Sequence, residues 1–340
     1  MIEVSELYKY YGERRALGPV EASIAQGEVV GLLGRNGAGK TTTLRILACD
    51  LLPTSGTVSV GGYDVVRQPD DVRAKIGYLP DRPPLYDDMT VAEYLRYAAQ
   101  LRGTRRSALP QRVQRAVEQT ELGDVQNDLI ATLSHGFRQR VGIAQAVVHD
   151  PELVVLDEPI SGLDPAQIVE MRALLRNLRG DHTVLVSSHI LGEISETCDR
   201  ILVIRDGRIA AAGTEQELTR ARHGERVDVT IEGSDQEAAR RALLAVAPAA
   251  TVTELTSSES GTFRLRVETE ADHRAEYCRA LVDAGLGVVG LERAERDLES
   301  VFLELSMTDE AAQALDAEAT TETDAAAEAR GETSAPREDA

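Results

Sequence analysis

The spacing of apolar and polar positions changes along the chain and predicts different kinds of structure. Up to about residue 222, short runs of consecutive apolar residues alternate with longer stretches at helical spacing. This pattern is typical of a parallel sheet covered by helices on both faces. The clearest predicted strands are Val29–Leu33, Leu153–Leu156 and Thr183–Val186, and an Asp206-Gly207 turn predicts an antiparallel hairpin. We therefore expect an α/β domain with a mixed sheet over residues 1–222.

Helical spacing dominates between about residues 85 and 150, which predicts a helical subdomain inserted into the α/β domain. One helix start is well marked, because Thr90 and Glu93 have the spacing of a capping box. Tyr94, Tyr97 and Leu101 follow on one face of that helix.

Beyond residue 222 the apolar positions alternate strictly, first around Val229 and again around Leu265. Together with helical stretches this gives the order βαββαβ, which predicts a small ferredoxin-like α+β domain over residues 223–306. A final helix with an apolar face is expected at Leu298–Leu305. Residues 307–340 contain ten Asp or Glu, two Arg and no aromatic residue. This composition predicts a disordered acidic tail, with an isolated acidic helix as the alternative.

Composition restricts the classes of function. The net charge is −20, of which the tail contributes −8, so nucleic acid is not an expected partner. No apolar run approaches the roughly 18 to 20 residues of a membrane-spanning helix, and acidic residues stand where a signal peptide would carry basic ones. We therefore expect a cytoplasmic protein. The three cysteines are far apart, which argues against a zinc site or a disulfide framework.

The segment Gly34–Thr41, with the sequence GRNGAGKT, matches a phosphate-binding Walker A loop. It follows the predicted strand Val29–Leu33 and opens a helix, so the positive helix end would face phosphates. Lys40 is predicted to reach the β and γ phosphates and Thr41 to bind Mg²⁺. An ordinary glycine turn is the alternative.

A second motif ends the predicted strand Leu153–Leu156 with two carboxylates. Parallel strands place such residues at the carboxyl edge of the sheet, where ligands bind. Asp157 is therefore predicted to bind Mg²⁺ together with Thr41, and Glu158 to act as the general base on the attacking water. A helix N-cap is the alternative for these acids.

A third motif, Leu133–Arg140 (LSHGFRQR), resembles the signature of ATP-binding cassette (ABC) proteins. A helix beginning near Phe137 would point its N–H groups at an anion, and Ser134 would add a hydroxyl donor. The resemblance implies that Ser134 and Gly136 contact the γ phosphate of an ATP molecule held by the opposite subunit. It is continuous over residues 1 to about 220, and the C-terminal part resembles exporter-type, gliding-motility-like ATPase subunits.

Other family landmarks follow in order. Ser161–Asp164 resembles the D-loop, and His189 resembles the switch histidine that contacts the γ phosphate. Tyr11 resembles the aromatic residue that stacks on adenine, although the neighbouring Tyr8 and Tyr10 are alternatives. The four histidines outside these motifs are predicted to be solvated surface residues. The complete predicted nucleotide site consists of Tyr11, Gly34, Asn36, Gly37, Ala38, Gly39, Lys40, Thr41, Thr42, Asp81, Ser134, Gly136, Asp157, Asp164 and His189, with Glu158, His189 and Lys40 catalytic.

Two positions depart from the common family pattern. Asp81 stands where most members have Gln, so the γ-phosphate-sensing role is not carried over to it, and its shorter, charged side chain is predicted to meet Mg²⁺ through water. His135 stands where the signature often has Gly. Because Lys40, Asp157 and His189 are all present, neither departure implies an inactive enzyme.

The resemblance implies a P-loop ATPase with ATP and Mg²⁺ as ligands, working as a homodimer that sandwiches two ATP molecules. The resemblance to exporter-type subunits further implies that the chain drives integral membrane permeases that export their substrate, from the inner face of the membrane. The permease contact is predicted around Pro83–Tyr86, with ordinary loop packing as the alternative. Chromosome-type and translation-type cassettes are disfavoured, because the chain has one uninterrupted cassette and a negative charge. A sugar or nucleotide kinase would not explain the signature or His189.

Overall fold

The computed structural model describes residues 1–220, 225–233, 235–255, 261–269 and 271–293. The chain divides into two compact units, with the boundary between Glu217 and Leu218. The predicted boundary at residue 222, the apolar helix at Leu298–Leu305 and the acidic tail all lie outside the described residues. Within the described residues, no helix is long and apolar enough to cross a membrane.

The centre of the first unit is a six-stranded sheet with the order β10-β9-β3-β8-β7-β6. All neighbours are parallel except the edge strand β10, which is antiparallel to β9. The inner strands are buried and rich in Val, Ile and Leu, as strands covered on both faces must be. The six strands of the sheet, edge strands included, are β3 (Val29–Leu33), β6 (Ile76–Leu79), β7 (Leu153–Leu156), β8 (Thr183–Ser188), β9 (Arg200–Arg205) and β10 (Arg208–Gly213).

A second, antiparallel sheet with the order β2-β1-β4-β5 lies in the same unit. Its strands are β1 (Ile2–Tyr11), β2 (Arg14–Ile24), β4 (Ser55–Val60) and β5 (Tyr63–Asp64). One hydrophobic core joins side chains of both sheets to the helix α1 (Lys40–Leu47), through Leu44, Ile46 and Leu47. The loop that precedes α1 therefore connects two elements, β3 and α1, whose side chains pack in the same core.

The predicted helical subdomain contains α3 (Val91–Leu101), α4 (Leu109–Gln119) and α5 (His135–Val147). The capping box at the start of α3 has formed, with the Thr90 side chain accepting from the Glu93 N–H and the Glu93 side chain accepting from the Thr90 N–H. Helix α5 packs on β6 and β7 of the central sheet. The remaining helices of the unit are α2 (Pro69–Lys75), α6 (Pro165–Asn177), α7 (Leu191–Ser195) and α8 (Glu215–Arg220), of which α8 spans the boundary between the units.

The second unit contains a four-stranded antiparallel sheet with the order β12-β13-β11-β14. Alternate residues of β11 and β13 are buried against two helices, because a strand exposes every second side chain to the same face. The other face carries charges, such as Asp228 paired with Arg266. The elements are β11 (Glu225–Glu232), α9 (Gln236–Val246), β12 (Thr251–Leu255), β13 (Thr262–Thr269), α10 (Arg274–Asp283) and β14 (Gly287–Arg293).

Candidate active site

The glycine-rich loop connects the end of β3 to the start of α1, as the sequence predicts for a phosphate-binding loop. Gly39 has φ +111°, and a Cβ there would lie 2.5 Å from a methyl carbon of Leu17. A Cβ at Gly34 would lie 2.5 Å from the carbonyl oxygen of Ile204. Both positions therefore need glycine, one for conformation and both for space. The loop can consequently curl tightly at the N-terminus of α1, where helix N–H groups favour an anion.

Lys40, the first residue of α1, folds back across this loop. Its Nζ donates to the carbonyl oxygen of Gly34 at 2.7 Å and forms an ion pair with Glu158 Oε1 at 3.1 Å. The lysine is 5% exposed, so its charge is largely withdrawn from solvent and balanced by this carboxylate. The two predicted catalytic residues are thus in direct contact.

Asp157 follows β7 directly and is 1% exposed. Its Oδ1 accepts a hydrogen bond from Ser187 Oγ at 2.6 Å, whereas its Oδ2 has no hydrogen-bond partner among the described residues. Burial raises the pKa of this carboxyl, and the neighbouring carboxylates of Glu158 and Asp81 raise it further. Hydrogen bonding from Ser187 and Thr41 acts in the opposite direction on the pKa.

Glu158 occupies a left-handed backbone conformation, with φ +50°, which is uncommon for a residue with a Cβ. Its N–H donates to Ser187 Oγ at 2.9 Å. Its side chain bridges two partners, since Oε1 meets Lys40 and Oε2 lies 2.9 Å from His189 Nδ1. Lys40, Glu158 and His189 therefore form one continuous polar chain.

These groups border a cleft of about 560 Å³. The predicted site residues that line it are Tyr11, Asn36, Gly37, Gly39, Lys40, Thr41, Thr42, Asp81, Glu158 and His189. Three other predicted residues of this region do not line the cleft. Gly34 lies close to Ile204, and Ala38 belongs to the hydrophobic core. Asp157 borders an adjoining cavity.

That adjoining cavity has a volume of about 500 Å³ and shares Thr41 and Asp81 with the cleft. Its walls carry the guanidinium groups of Arg45, Arg73, Arg82 and Arg102, together with the carboxylates of Asp50, Asp81 and Asp157. Burial, with a smaller contribution from Arg73, lowers the pKa of the Arg102 guanidinium below its ordinary value.

The structure adds lining residues that the predicted nucleotide site did not include. Arg14 and Arg15 line the cleft because β1 and β2 form a hairpin that sets Arg14 opposite Tyr11. The two-residue connection at Gly12 and Glu13 is the sequence signal that could have revealed this pairing. Ser161, from the predicted D-loop, also lines the cleft.

Ser187 is a further residue of the site that the sequence analysis missed. It lies within the buried strand β8 and contacts both carboxylate residues of the second motif. The available signal was the pair of serines between the apolar run Val184–Val186 and His189.

Tyr11 is the tyrosine that faces the cleft, and its ring is 48% exposed. Tyr8 packs its ring where a Cβ at Gly18 would stand, and Tyr10 is exposed away from the residues that line the cleft. The structure therefore favours Tyr11 among the three alternatives.

The signature residues Ser134 and Gly136 and the D-loop residue Asp164 do not line the cleft. Ser134 is the N-cap of α5, and its Oγ accepts from the N–H of Phe137 at 3.4 Å. The helix begins at His135, two residues earlier than predicted, because this side-chain cap allows it to start there. Asp164 caps α6 in the same way, accepting from the N–H of Gln167.

His135 connects the signature to the D-loop within one chain. Its Nε2 donates to the carbonyl oxygen of Ser161 at 3.2 Å. One residue later, a Cβ at Gly136 would lie 2.8 Å from the side-chain oxygen of Gln167. The start of α5 is therefore in close contact with the segment that leads into α6.

The prediction that the remaining histidines are solvated is wrong for two of them. His182 is 2% exposed, and its Nδ1 lies 2.7 Å from the carbonyl oxygen of Pro151. His149 is half-buried, with its Nε2 3.1 Å from the carbonyl oxygen of Ile76, and burial lowers its pKa to about 4. In each ring a backbone carbonyl contacts one nitrogen, and the other nitrogen is buried without a hydrogen-bond partner among the described residues. His223 lies outside the described residues.

Comparison with known proteins gives a consistent result. The family described as ABC transporter matches residues 17–161. The ABC transporter ATP-binding protein NatA of Bacillus subtilis is 38% identical over 213 residues, which are 62% of this chain and 87% of NatA. The daunorubicin resistance ATP-binding protein DrrA3 of Streptomyces coeruleorubidus is 34% identical over 315 residues, which are 91% of this chain and 96% of DrrA3.

Solved structures agree with these matches. An ATP-binding subunit of an ABC transporter has a TM-score of 0.59 at 32% identity, covering 65% of this chain and 92% of that one. The dimeric structure of MJ0796, a bacterial ABC transporter cassette, has a TM-score of 0.57 at 27% identity, covering 63% of this chain and 98% of that one. From this agreement of sequence and fold, the chain belongs to the family of ABC transporter ATP-binding subunits, which are ATPases.

Proposed function

We propose that this chain binds MgATP in the cleft beside Lys40, hydrolyses it in a head-to-tail dimer and thereby drives separate membrane permease subunits. The observation that carries the proposal is the contact chain from Lys40 through Glu158 to His189, placed beside Asp157 and the glycine-rich loop. These groups come from three different strand ends of the central sheet. Their convergence on one cleft supports a single catalytic centre.

Nucleotide binding requires a local rearrangement of Lys40. Its Nζ is paired with Glu158 and a loop carbonyl, so it must turn from both toward the β and γ phosphates. The loop N–H groups and the start of α1 would hold the phosphates. Tyr11 would stack on the adenine, and Arg14 and Arg15 add positive charge at the same end of the cleft.

The residues present are suited to Mg²⁺. The buried Asp157 has one carboxylate oxygen without a partner among the described residues, and the hydroxyl of Thr41 lies beside it. Mg²⁺ prefers such oxygen donors, usually one or two from the protein with the rest from phosphates and water. Asp157 and Thr41 would hold the ion, with Asp81 near enough to act through water. When bound, Mg²⁺ neutralises charge that develops on the phosphates.

Glu158 would take the proton from the attacking water. Its carboxylate is 12% exposed and is held by His189 on Oε2, so it has one orientation rather than several. When Lys40 turns to the phosphates, Oε1 becomes available as the acceptor. His189 would keep Glu158 in place and contact the γ phosphate with the ring nitrogen that Glu158 leaves free.

The position of the signature supports a shared site between two copies. Ser134, Gly136 and Asp164 lie away from the cleft of their own chain, yet the start of α5 presents N–H groups and a serine hydroxyl. A head-to-tail dimer would bring this helix start to the partner's nucleotide. The likeness to a cassette solved as a dimer supports the same arrangement.

The relatives suggest the kind of transporter. DrrA3 is named for daunorubicin resistance, and a 30% identical relative from Bacillus licheniformis is named bacitracin transport ATP-binding protein BcrA. We infer an exporter, with this subunit at the cytoplasmic face of the membrane. The predicted permease contact Pro83–Tyr86 follows Arg82, which borders the adjoining cavity. Tyr86 packs its ring edge-on against Tyr94 and Tyr97 and still exposes nearly half its surface. The exposed part of this aromatic side chain supports a protein contact there.

The second unit would be an accessory domain. Its element order βαββαβ and the strand order β12-β13-β11-β14 support the ferredoxin-like interpretation of residues 223–306. We keep residues 1–222 as the cassette and 307–340 as an acidic tail.

Affinity capture tests the proposal. Tagged Glu158→Gln protein is incubated with MgATP and detergent-solubilised membranes of its host, and the captured proteins are identified by mass spectrometry. We expect near-stoichiometric recovery of a polytopic membrane protein. The Lys40→Ala variant serves as the control without nucleotide binding. Recovery of only soluble or nucleic-acid-bound partners would overturn the transporter function while leaving the ATPase unaffected.

A further inference from the structure

Ser187 lies at the point where the two acidic residues of the site leave the central sheet. Strand β8 runs parallel to β7, with Val186 opposite Leu156, so Ser187 is adjacent to the residue that follows β7. Its side chain is fully buried, at 0% exposure. A buried position in a parallel strand normally carries an apolar side chain. A hydroxyl at this buried position is therefore expected to make specific hydrogen bonds.

The hydroxyl makes two hydrogen bonds with opposite roles. Oγ donates to Asp157 Oδ1 at 2.6 Å and accepts from the N–H of Glu158 at 2.9 Å. A single small side chain thereby fixes the carboxylate of one residue and the backbone of the next. Both bonds lie away from solvent, where a lost partner leaves a buried polar group unsatisfied.

We propose that Ser187 is a positioning residue for the metal ligand Asp157 and for the base Glu158. With Oδ1 occupied by Ser187, the carboxylate of Asp157 keeps one rotamer and leaves Oδ2 as the oxygen that has no hydrogen-bond partner within the described part of the chain. The second bond holds Glu158 in its left-handed conformation, which is strained for a residue with a Cβ. This inference rests on the proposed MgATP binding.

The size of the effect follows from the behaviour of groups that orient metal ligands. Removing such a hydrogen-bond partner commonly weakens metal affinity by about 10- to 100-fold. The Ser187→Ala variant should therefore need at least about tenfold more Mg²⁺ than the unaltered protein to reach the same ATP affinity. Binding of ATP in EDTA should be unchanged, because Ser187 makes no contact with the phosphate loop among the bonds described above.

Calorimetric titration of ATP into the full chain at a series of Mg²⁺ concentrations tests this. The variants are Ser187→Ala, Ser187→Thr, which keeps the hydroxyl, and Ser188→Ala. Ser188 is an equally buried serine, but its Oγ donates to Glu193 at 2.5 Å and does not contact Asp157. We expect the Mg²⁺ requirement to rise in Ser187→Ala alone and to return toward the original value in Ser187→Thr.

Each contrary result overturns the inference in a recognisable way. A Ser187→Ala protein with unchanged Mg²⁺ dependence shows that Asp157 needs no such support. An equal rise in Ser188→Ala shows general loosening of the strand end. If Mg²⁺ does not improve ATP affinity even in the unaltered protein, the proposed MgATP site itself fails, and this inference fails with it.

Discussion

The ion pair between Lys40 and Glu158 leads to a two-part prediction for Glu158→Gln. Glutamine has the shape of glutamate but carries no charge and cannot accept a proton from water at neutral pH. Positioned general bases contribute about 10²- to 10⁴-fold to rate, so steady-state phosphate release should fall by at least about 100-fold. The same substitution should tighten ATP binding rather than weaken it.

The tighter binding follows from the contact that ATP must displace. In the structure, Lys40 Nζ lies 3.1 Å from Glu158 Oε1, and both side chains are largely buried. A hydrogen bond to a charged group contributes about 1.5–3 kcal/mol, against about 0.5–1.5 kcal/mol for one between neutral groups. Replacing the carboxylate by an amide therefore lowers the cost of releasing Lys40 by about 1 kcal/mol, which is roughly a fivefold gain in affinity.

The assay combines calorimetric titration of MgATP with continuous measurement of phosphate release. Glu152→Gln is the control, because it removes the carboxylate of an ion pair with Lys75 that is more exposed and lies outside the cleft. That variant should keep its affinity and turnover. Near-normal turnover in Glu158→Gln would refute its role as base, and weaker ATP binding would refute the competition for Lys40.

Three further predictions concern the remaining parts of the chain. Lys40→Ala should lose measurable ATP binding, because Lys40 is the cation that the Walker A pattern assigns to the β and γ phosphates; unchanged affinity by calorimetry would count against the loop assignment. Tyr11→Ala should weaken ATP binding by about tenfold, since stacking on a base contributes about 1–3 kcal/mol, whereas the adjacent Tyr10→Ala should not. His149 should make the protein sensitive to acid. Its pKa is lowered from 6.5 to about 4. Between these two pH values His149 therefore binds a proton in the unfolded chain but stays neutral in the folded chain. The free energy of unfolding should therefore fall by up to about 3 kcal/mol between pH 6.5 and 4. Denaturant unfolding of His149→Gln should lack this component, and an identical pH profile in both proteins would contradict the reasoning.

Local chemistry explains why much of this protein could be predicted from its sequence. The strands Val29–Leu33 and Leu153–Leu156 have the predicted bounds, because consecutive apolar residues leave few alternatives to a buried strand. Asp206 and Gly207 both have positive φ, as their hairpin turn requires. The capping box at Thr90 depends only on residues three positions apart. The glycine-rich loop and the two acids after β7 are also contiguous, so their chemistry was readable without a fold.

Contacts between distant segments were decided only by the tertiary structure. The sequence contains Lys40, Glu158 and His189 but not the polar chain that joins them across three strand ends. Ser187 follows the predicted strand Thr183–Val186, and its role is visible only because β8 extends to Ser188 and lies beside β7. His149 and His182 were predicted at the surface, but tertiary packing buries their rings and sets one nitrogen of each against a backbone carbonyl. The physical reason is that periodicity and turn chemistry act over a few residues, whereas burial, pKa and hydrogen-bond partners depend on which remote segments the sheet order brings together.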